Sequence, residues 1–259
     1  MKSKIEEQLE KGYSLDLGKV IDQSIEIYKK TFLISGLGYL LLIFVMIVLY
    51  SFLFLFIYGI NDFADFAVEM NEMKLDSTYL IGNLILSVVF ASLTAPLNAG
   101  FIKICFLAKR NEPLNVSTIF DYYKGKYFKD IVIGSAIIAL GTLILTGLFD
   151  FLALSFINII VHIIFSLFTV LFIPIVIFGN QSFGEAIEKS IKLVAKQPIH
   201  IFVALLIAIV VIMLGLIGLC IGILFTLPFW PAMTFVLYDN IIGIEEEENI
   251  IDQIGSSEV

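Results

Sequence analysis

Residues 199–238 read IHIFVALLIAIVVIMLGLIGLCIGILFTLPFWPAMTFVLY, forty consecutive positions without an acidic residue, a lysine or an arginine. As one α-helix the run would be about 60 Å long at about 1.5 Å per residue, whereas the hydrocarbon core of a bilayer is about 30 Å thick. A helix that is apolar all round belongs in a core or in lipid. The run therefore reads as a hairpin of two spans, 199–216 and 219–239, turning near Gly215 to Gly222. The turn lacks the polar residues usual at such a place.

Four more apolar stretches lie upstream, at 31–60, 78–108, 131–149 and 151–179. The composition agrees with them: 59% of the 259 residues are hydrophobic and 15% charged, with a mean hydropathy of +0.98. Soluble proteins have roughly 45–50% apolar and about 25% charged residues. Disorder, collagen and a disulfide scaffold are excluded. The predicted fold is all-α: a polytopic membrane helical bundle of six transmembrane helices in one domain, 1–243, followed by an acidic cytoplasmic tail, 244–259.

The formal net charge of −8 is concentrated in two places. One is the loop 61–77, with Asp62, Asp65, Glu69, Glu72 and Asp76; the other is the tail, with Glu245 to Glu248. No basic residues gather along a groove, which argues against nucleic acid. Cys105 and Cys220 fall inside apolar runs and imply no disulfide framework. The mixed-charge start, MKSKIEEQLEKG, is not a cleavable signal peptide.

With six spans and the N-terminus in the cytoplasm, fourteen of the sixteen basic residues fall on the inner side. Lys74 lies outside, and Lys103 sits near the inner end of span two, where it can snorkel. The positive-inside rule thus orients the N-terminus inward, and an even number of spans returns the C-terminus to the same side.

Three short segments resemble one another. Leu17-Gly18-Lys19-Val20-Ile21-Asp22-Gln23-Ser24-Ile25 precedes span one, and Phe183-Gly184-Glu185-Ala186-Ile187-Glu188-Lys189-Ser190-Ile191 precedes span five. A fainter copy, Val116-Ser117-Thr118-Ile119-Phe120-Asp121, precedes span three. In the first copy, apolar residues at Leu17, Val20, Ile21, Ile25 and Tyr28 share one helical face with Ser24. Ser182 and Glu185 have capping-box spacing before the last. The pattern predicts a possible threefold repeat, each unit being a cytoplasmic amphipathic helix followed by two spans. The second span of each unit carries a proline, Pro96, Pro174 or Pro231, expected to bend it. Chance similarity among helices entering a membrane is the plainer alternative.

A wider set of motifs runs through the chain. It comprises Pro96-Leu97-Asn98-Ala99-Gly100-Phe101, then Arg110-Asn111-Glu112 and Phe120, then Ile173-Pro174, then Ser182 through Ser190, and finally Pro228-Phe229-Trp230-Pro231 with Tyr238-Asp239. On these residues the chain resembles a bacterial six-helix integral membrane protein family of unknown function, similar to the membrane domain attached to some glycerophosphoryl diester phosphodiesterases. The resemblance covers nearly the whole chain through short, mostly structural motifs. It implies six helices in a bacterial cytoplasmic (inner) membrane and no catalytic residues; the phosphodiesterase domain is absent, so its activity is not carried over.

Polar residues recur within the spans. Ser155, Asn158, His162, Ser166 and Thr169 occupy one face of span four; Asn83, Ser87, Thr94 and Asn98 occupy one face of span two; Ser135, Thr142 and Thr146 do so more weakly in span three. Facing lipid they would be costly, so they are expected to face the bundle interior. They read either as the lining of a path for a solute, with His162 as a titrating element, or as hydrogen-bonding glue between helices, the favoured reading.

The remaining features read as structural. The acidic stripe of the 61–77 loop has no EF-hand spacing and is favoured as a solvated helix face. The Glu run is favoured as a solvated tail, with partner docking as the alternative. The charge-balanced amphipathic helices read as interfacial collars. Gly218 and Gly222 suit a turn better than a dimer motif, Asp150 suits a cap between spans three and four, and His200 suits an interfacial position. No Walker A loop or H-E-x-x-H motif occurs, and Asn180-Gln181-Ser182-Phe183-Gly184 lacks the first glycine of a hydrolase elbow. No metal or cofactor is expected. The sequence points to a non-enzymatic membrane protein that organises or assists membrane lipids or protein partners through its cytoplasmic helices and tail. The alternative is a small carrier or channel for a polar or lipid-like solute, using the polar stripes of spans two to four.

Overall fold

The computed structural model describes residues 4–58, 77–152, 154–218 and 221–244. The acidic stripe at 62–76, Cys220 and the Glu245–Glu248 run lie outside the described residues. Among the described residues the chain is all-α, with no strand. The α-helices are α1 (Lys4–Lys11), α2 (Leu17–Tyr58), α3 (Ser77–Lys109), α4 (Phe128–Phe151), α5 (Asn158–Thr169), α6 (Phe172–Gly179), α7 (Phe183–Val194), α8 (Pro198–Leu214), α9 (Ile221–Thr226) and α10 (Phe229–Ile241). Short 3-10 helices occupy Val116–Tyr123, Ser155–Ile157 and Gly215–Gly218.

Five helical stretches are long and apolar enough to cross a bilayer: Leu17–Val45, Ser87–Lys109, Phe128–Phe151, Asn158–Gly179 and Pro198–Ile217. Their outer faces carry large apolar side chains, among them Ile144, Phe151, Ile159 and Ile217, all more than two-thirds exposed. In water such a surface would be a severe aggregation liability; in lipid it is the expected solvent contact.

The sixth apolar segment differs from its expected form. The forty-residue run does turn at its glycines: a β-carbon on Gly215 would lie 2.8 Å from the Gly222 carbonyl oxygen, and Thr226 Oγ1 donates to the Ile212 carbonyl at 3.1 Å. Beyond the turn, a second break before Pro228 divides the segment into α9 and α10, of 6 and 13 residues, each too short to span alone. α10 is the hub of the fold. Pro231 through Tyr238 are all buried, and α2, α3, α6 and α8 pack around them. A helix buried all round is apolar all round, and this is why the segment resembles a lipid-facing span in sequence.

Prolines 174 and 231 break helices where a bend was expected. Each occupies the third position of a new helix, α6 or α10, where the missing amide hydrogen has no intrahelical partner to lose. Pro96 alone among the three lies inside a continuous helix, α3. The first collar also differs from expectation: residues 17–30 and span one form the single 42-residue helix α2, with no break near Thr31. The corresponding α7 is separate from α8 because Gln197-Pro198 interrupts the chain, and the third copy is a 3-10 helix. The aligned positions Val20, Ile119 and Ala186 are nonetheless all fully buried. α7 starts with the expected capping box, Glu185 accepting from the Ser182 amide at 3.2 Å and from its hydroxyl at 2.8 Å. Those bonds hold the Glu185 carboxyl below the usual carboxylate range.

α1 and the segment after it form a strap. Ile5 is buried, the Tyr13 hydroxyl donates to the Leu193 carbonyl at 2.8 Å, and Gln197 accepts from the Leu15 amide at 3.1 Å while donating to the Tyr13 carbonyl at 2.5 Å. Burial pushes the Tyr13 phenol up to about 12.

Candidate functional site

The polar stripes meet around one space. α3, α4, α5, the start of α6 and α10 line a cavity of about 580 Å³. Of the residues singled out in the sequence, Ser87, Thr94, Asn98, His162, Ser166 and Thr169 line it. Ser135 and Thr142, of the weaker stripe in span three, join them from α4, and Trp230 and Thr234, which the sequence did not mark, from α10. The helical repeat explains the convergence, since residues three, four or seven apart on one helix share a face.

The other three residues of the stripes in spans two and four are not in that lining. Asn83 and Ser155 lie on described backbone, but their side chains lie outside the described residues. Asn158 is not part of the lining: its Nδ2 donates to Asp150 Oδ1 at 2.7 Å and so ties α5 to the end of α4. Asp150 thus links the two spans through its side chain, from within the last turn of α4, and not as the cap expected of it.

The hydrogen bonding of the lining is informative. Thr94, Thr142 and Thr169 donate back to the carbonyls of Phe90, Ile138 and Phe165 in their own helices, at 2.9, 2.9 and 2.8 Å. Their protons are satisfied locally, while oxygen lone pairs remain to accept. The side chains of Asn98, Ser135, His162 and Ser166 have no hydrogen-bond partner among the described residues. Thr234 Oγ1 is likewise without a partner, and its residue is only 3% exposed. Glue between helices consists of bonds from one helix to the next, and these side chains do not make them.

Among the described residues no lysine, arginine, aspartate or glutamate lines the cavity. A second cavity, about 300 Å³, adjoins it, and His162, Ser166 and Trp230 line both. Its other lining residues are apolar: Ile163, Leu167, Phe202, Leu205, Leu206 and Ile209. The charges instead tie helix ends and loops together. Lys109 meets Asp239 at 2.8 Å, Lys126 donates to Asn180 at 2.7 Å, and Lys103, expected to snorkel, pairs with Asp121 at 2.7 Å. Among the described residues no group of acidic, histidine or cysteine side chains could hold a metal ion.

Sequence reasoning missed Trp230 and Thr234. They are one helical turn apart, and Trp230 is the sole tryptophan of the chain, but in a forty-residue apolar run neither stands out as a lining residue. The described residues thus define an all-α bundle, with five helices long and apolar enough to cross a bilayer, around a cavity whose described lining is polar in part and uncharged. No family model, curated protein or solved structure matches the chain.

Proposed function

We propose that this chain is a non-enzymatic membrane protein that binds an uncharged solute in the α3–α4–α5–α10 cavity and carries it within or across the membrane. The observation that carries this reading is the convergence of Asn98, Ser135, His162, Ser166 and Thr234, five side chains with unspent hydrogen-bonding capacity on four helices. Unpaired polar groups in a dry apolar medium are costly, so a lining of this kind is expected to have an occupant, whether solute or water. In this reading α9 and α10 together complete a sixth crossing, both termini face the cytoplasm of a bacterium, and the three collar segments descend from one repeated unit. The distribution of lysines supports the orientation, and the equivalent burial of Val20, Ile119 and Ala186 supports the repeat.

Cysteine labelling tests the cavity. In a background with Cys105 and Cys220 replaced, Asn98→Cys should react with a water-soluble maleimide in intact membranes. Ala99→Cys, at a fully buried position outside the lining, should not. An unreactive Asn98→Cys would return the polar stripes to a packing role and leave the chain as an organiser of lipids or protein partners through its collar, where Glu185, Glu188 and Lys192 of α7 face outward.

A further inference from the structure

The two adjoining cavities differ in chemistry, and they share lining residues. The larger one offers hydroxyls, a carboxamide and an imidazole; the smaller one offers Ile163, Leu167, Phe202, Leu205, Leu206 and Ile209. His162, Ser166 and Trp230 belong to both. We propose that the pair forms one site for an uncharged single-chain amphiphile, its hydroxyl- or ester-bearing end in the larger cavity and its hydrocarbon chain in the smaller. This rests on the reading of the larger cavity as a binding site.

A charged headgroup would leave its counter-ions behind and find, among the described residues, neither lysine, arginine, aspartate nor glutamate in the lining, and a buried charge without a partner is strongly disfavoured. A small polar solute would account for the larger cavity but not for the apolar one beside it. A hydrocarbon gains little by leaving lipid for an apolar cavity, because lipid tails are as apolar as leucine. Selection therefore falls to the polar end, which finds at Asn98 and Thr234 partners that the bilayer interior lacks. The combined space is of the order taken up by drug-sized ligands, about 300–1,000 Å³.

Trp230 lines both cavities and is the only tryptophan, so its fluorescence reports on the site directly. The full-length protein would be reconstituted in phosphatidylcholine vesicles and titrated with three probes brominated on the chain: a monoacylglycerol, an alkyl sulfate and an alkane. Bromine quenches tryptophan only at close range. Saturable quenching is expected from the monoacylglycerol, relieved by its unbrominated form, with only linear collisional quenching from the other two. Thr234→Val and Asn98→Leu should each weaken that quenching at least fivefold, and Thr234→Ser should restore most of it. Leu206→Phe, which fills the smaller cavity while leaving every polar group in place, should weaken it too. Where a variant elutes as aggregate from gel filtration, the unlabelled competitor on the wild type carries the test. Linear quenching by all three probes would overturn the amphiphile site, and equal saturation by the alkyl sulfate would overturn its uncharged character. Either result leaves the labelling of Asn98→Cys to judge the cavity separately.

Discussion

Gly100 of α3 lies against the main chain of Ile119, so closely that a β-carbon at position 100 would stand 2.2 Å from the Ile119 carbonyl oxygen and 2.5 Å from its α-carbon. From the other side, a β-carbon on Gly38 of α2 would stand 2.2 Å from Ile119 Cδ1. The two glycines let the 3-10 helix Val116–Tyr123 wedge between α2 and α3, beside the stacked rings of Tyr39 and Phe101, whose centroids are 4.1 Å apart. Gly100→Ala meets backbone that cannot rotate away, and a cost of about 3 kcal/mol or more is expected. Gly38→Ala meets the movable end of a side chain and should cost about 1–2 kcal/mol. Thermal denaturation in a mild detergent reads the difference; equal melting temperatures for the two variants would contradict this packing.

Gly184 is the opposite case. It is exposed in the first turn of α7, and a β-carbon there meets nothing within 4 Å. Gly184→Ala should stabilise the protein by about 0.5–1 kcal/mol, because alanine loses less backbone freedom on entering a helix. A lowered melting temperature would show that the position has a contact outside the described residues.

The strap should be sensitive to alkali through Tyr13. Its phenol is neutral when folded and is raised from its ordinary value near 10 to about 12, so the group contributes fully below pH 10 and the contribution is lost as the pH rises towards 12. Tyr13→Phe removes both that dependence and the bond to Leu193, worth about 0.5–1.5 kcal/mol. Subtilisin cleavage between residues 11 and 16 should accelerate above pH 10 in the wild type relative to its own rate at pH 9. In the variant, cleavage should already be fast at pH 9, with a smaller rise.

Ser24 and Ser190 occupy the same position in two of the repeated segments, and both are fully buried. Their bonds differ. Ser190 donates across to the Phe168 carbonyl of α5 at 2.7 Å, whereas Ser24 donates to the Val20 carbonyl of its own helix at 2.7 Å. Ser190→Ala strands a carbonyl next to the α5–α6 break and should cost about 1–3 kcal/mol, and Ser24→Ala less than about 1 kcal/mol. Comparing their denaturation midpoints checks the order.

Thr234→Val is expected to separate stability from binding. The threonine hydroxyl is buried without a partner, so the isosteric valine should raise the stability of the unliganded protein by about 1 kcal/mol while weakening capture of the monoacylglycerol probe. A variant that loses stability and binding together would place Thr234 in the packing instead.

Helical class, apolar segments, the turn near Gly215, the capping box at Ser182 and the common face of His162, Ser166 and Thr169 were all legible along the chain, because each depends on residues within one or two helical turns of one another. What failed to show was of longer range. The continuity of α2 depends on Val20, Ser24 and Ile27 finding a buried surface, with Ser24 against Met233, two hundred residues away. The run 199–238 announces apolar character, but a helix surrounded by protein and one surrounded by lipid have the same composition. Only packing made α10 the hub and α4 a peripheral helix. Likewise, periodicity could put Asn98, His162 and Ser166 on inward faces, while whether those faces would bond to each other or stand apart was left to the spacing of helices. That spacing is set by residues such as Gly100 and Ile119. The tertiary structure held the faces apart, brought Trp230 and Thr234 between them, and so turned a polar stripe into a lined cavity, because the volume left between helices is a property of all of them together and is written in none alone.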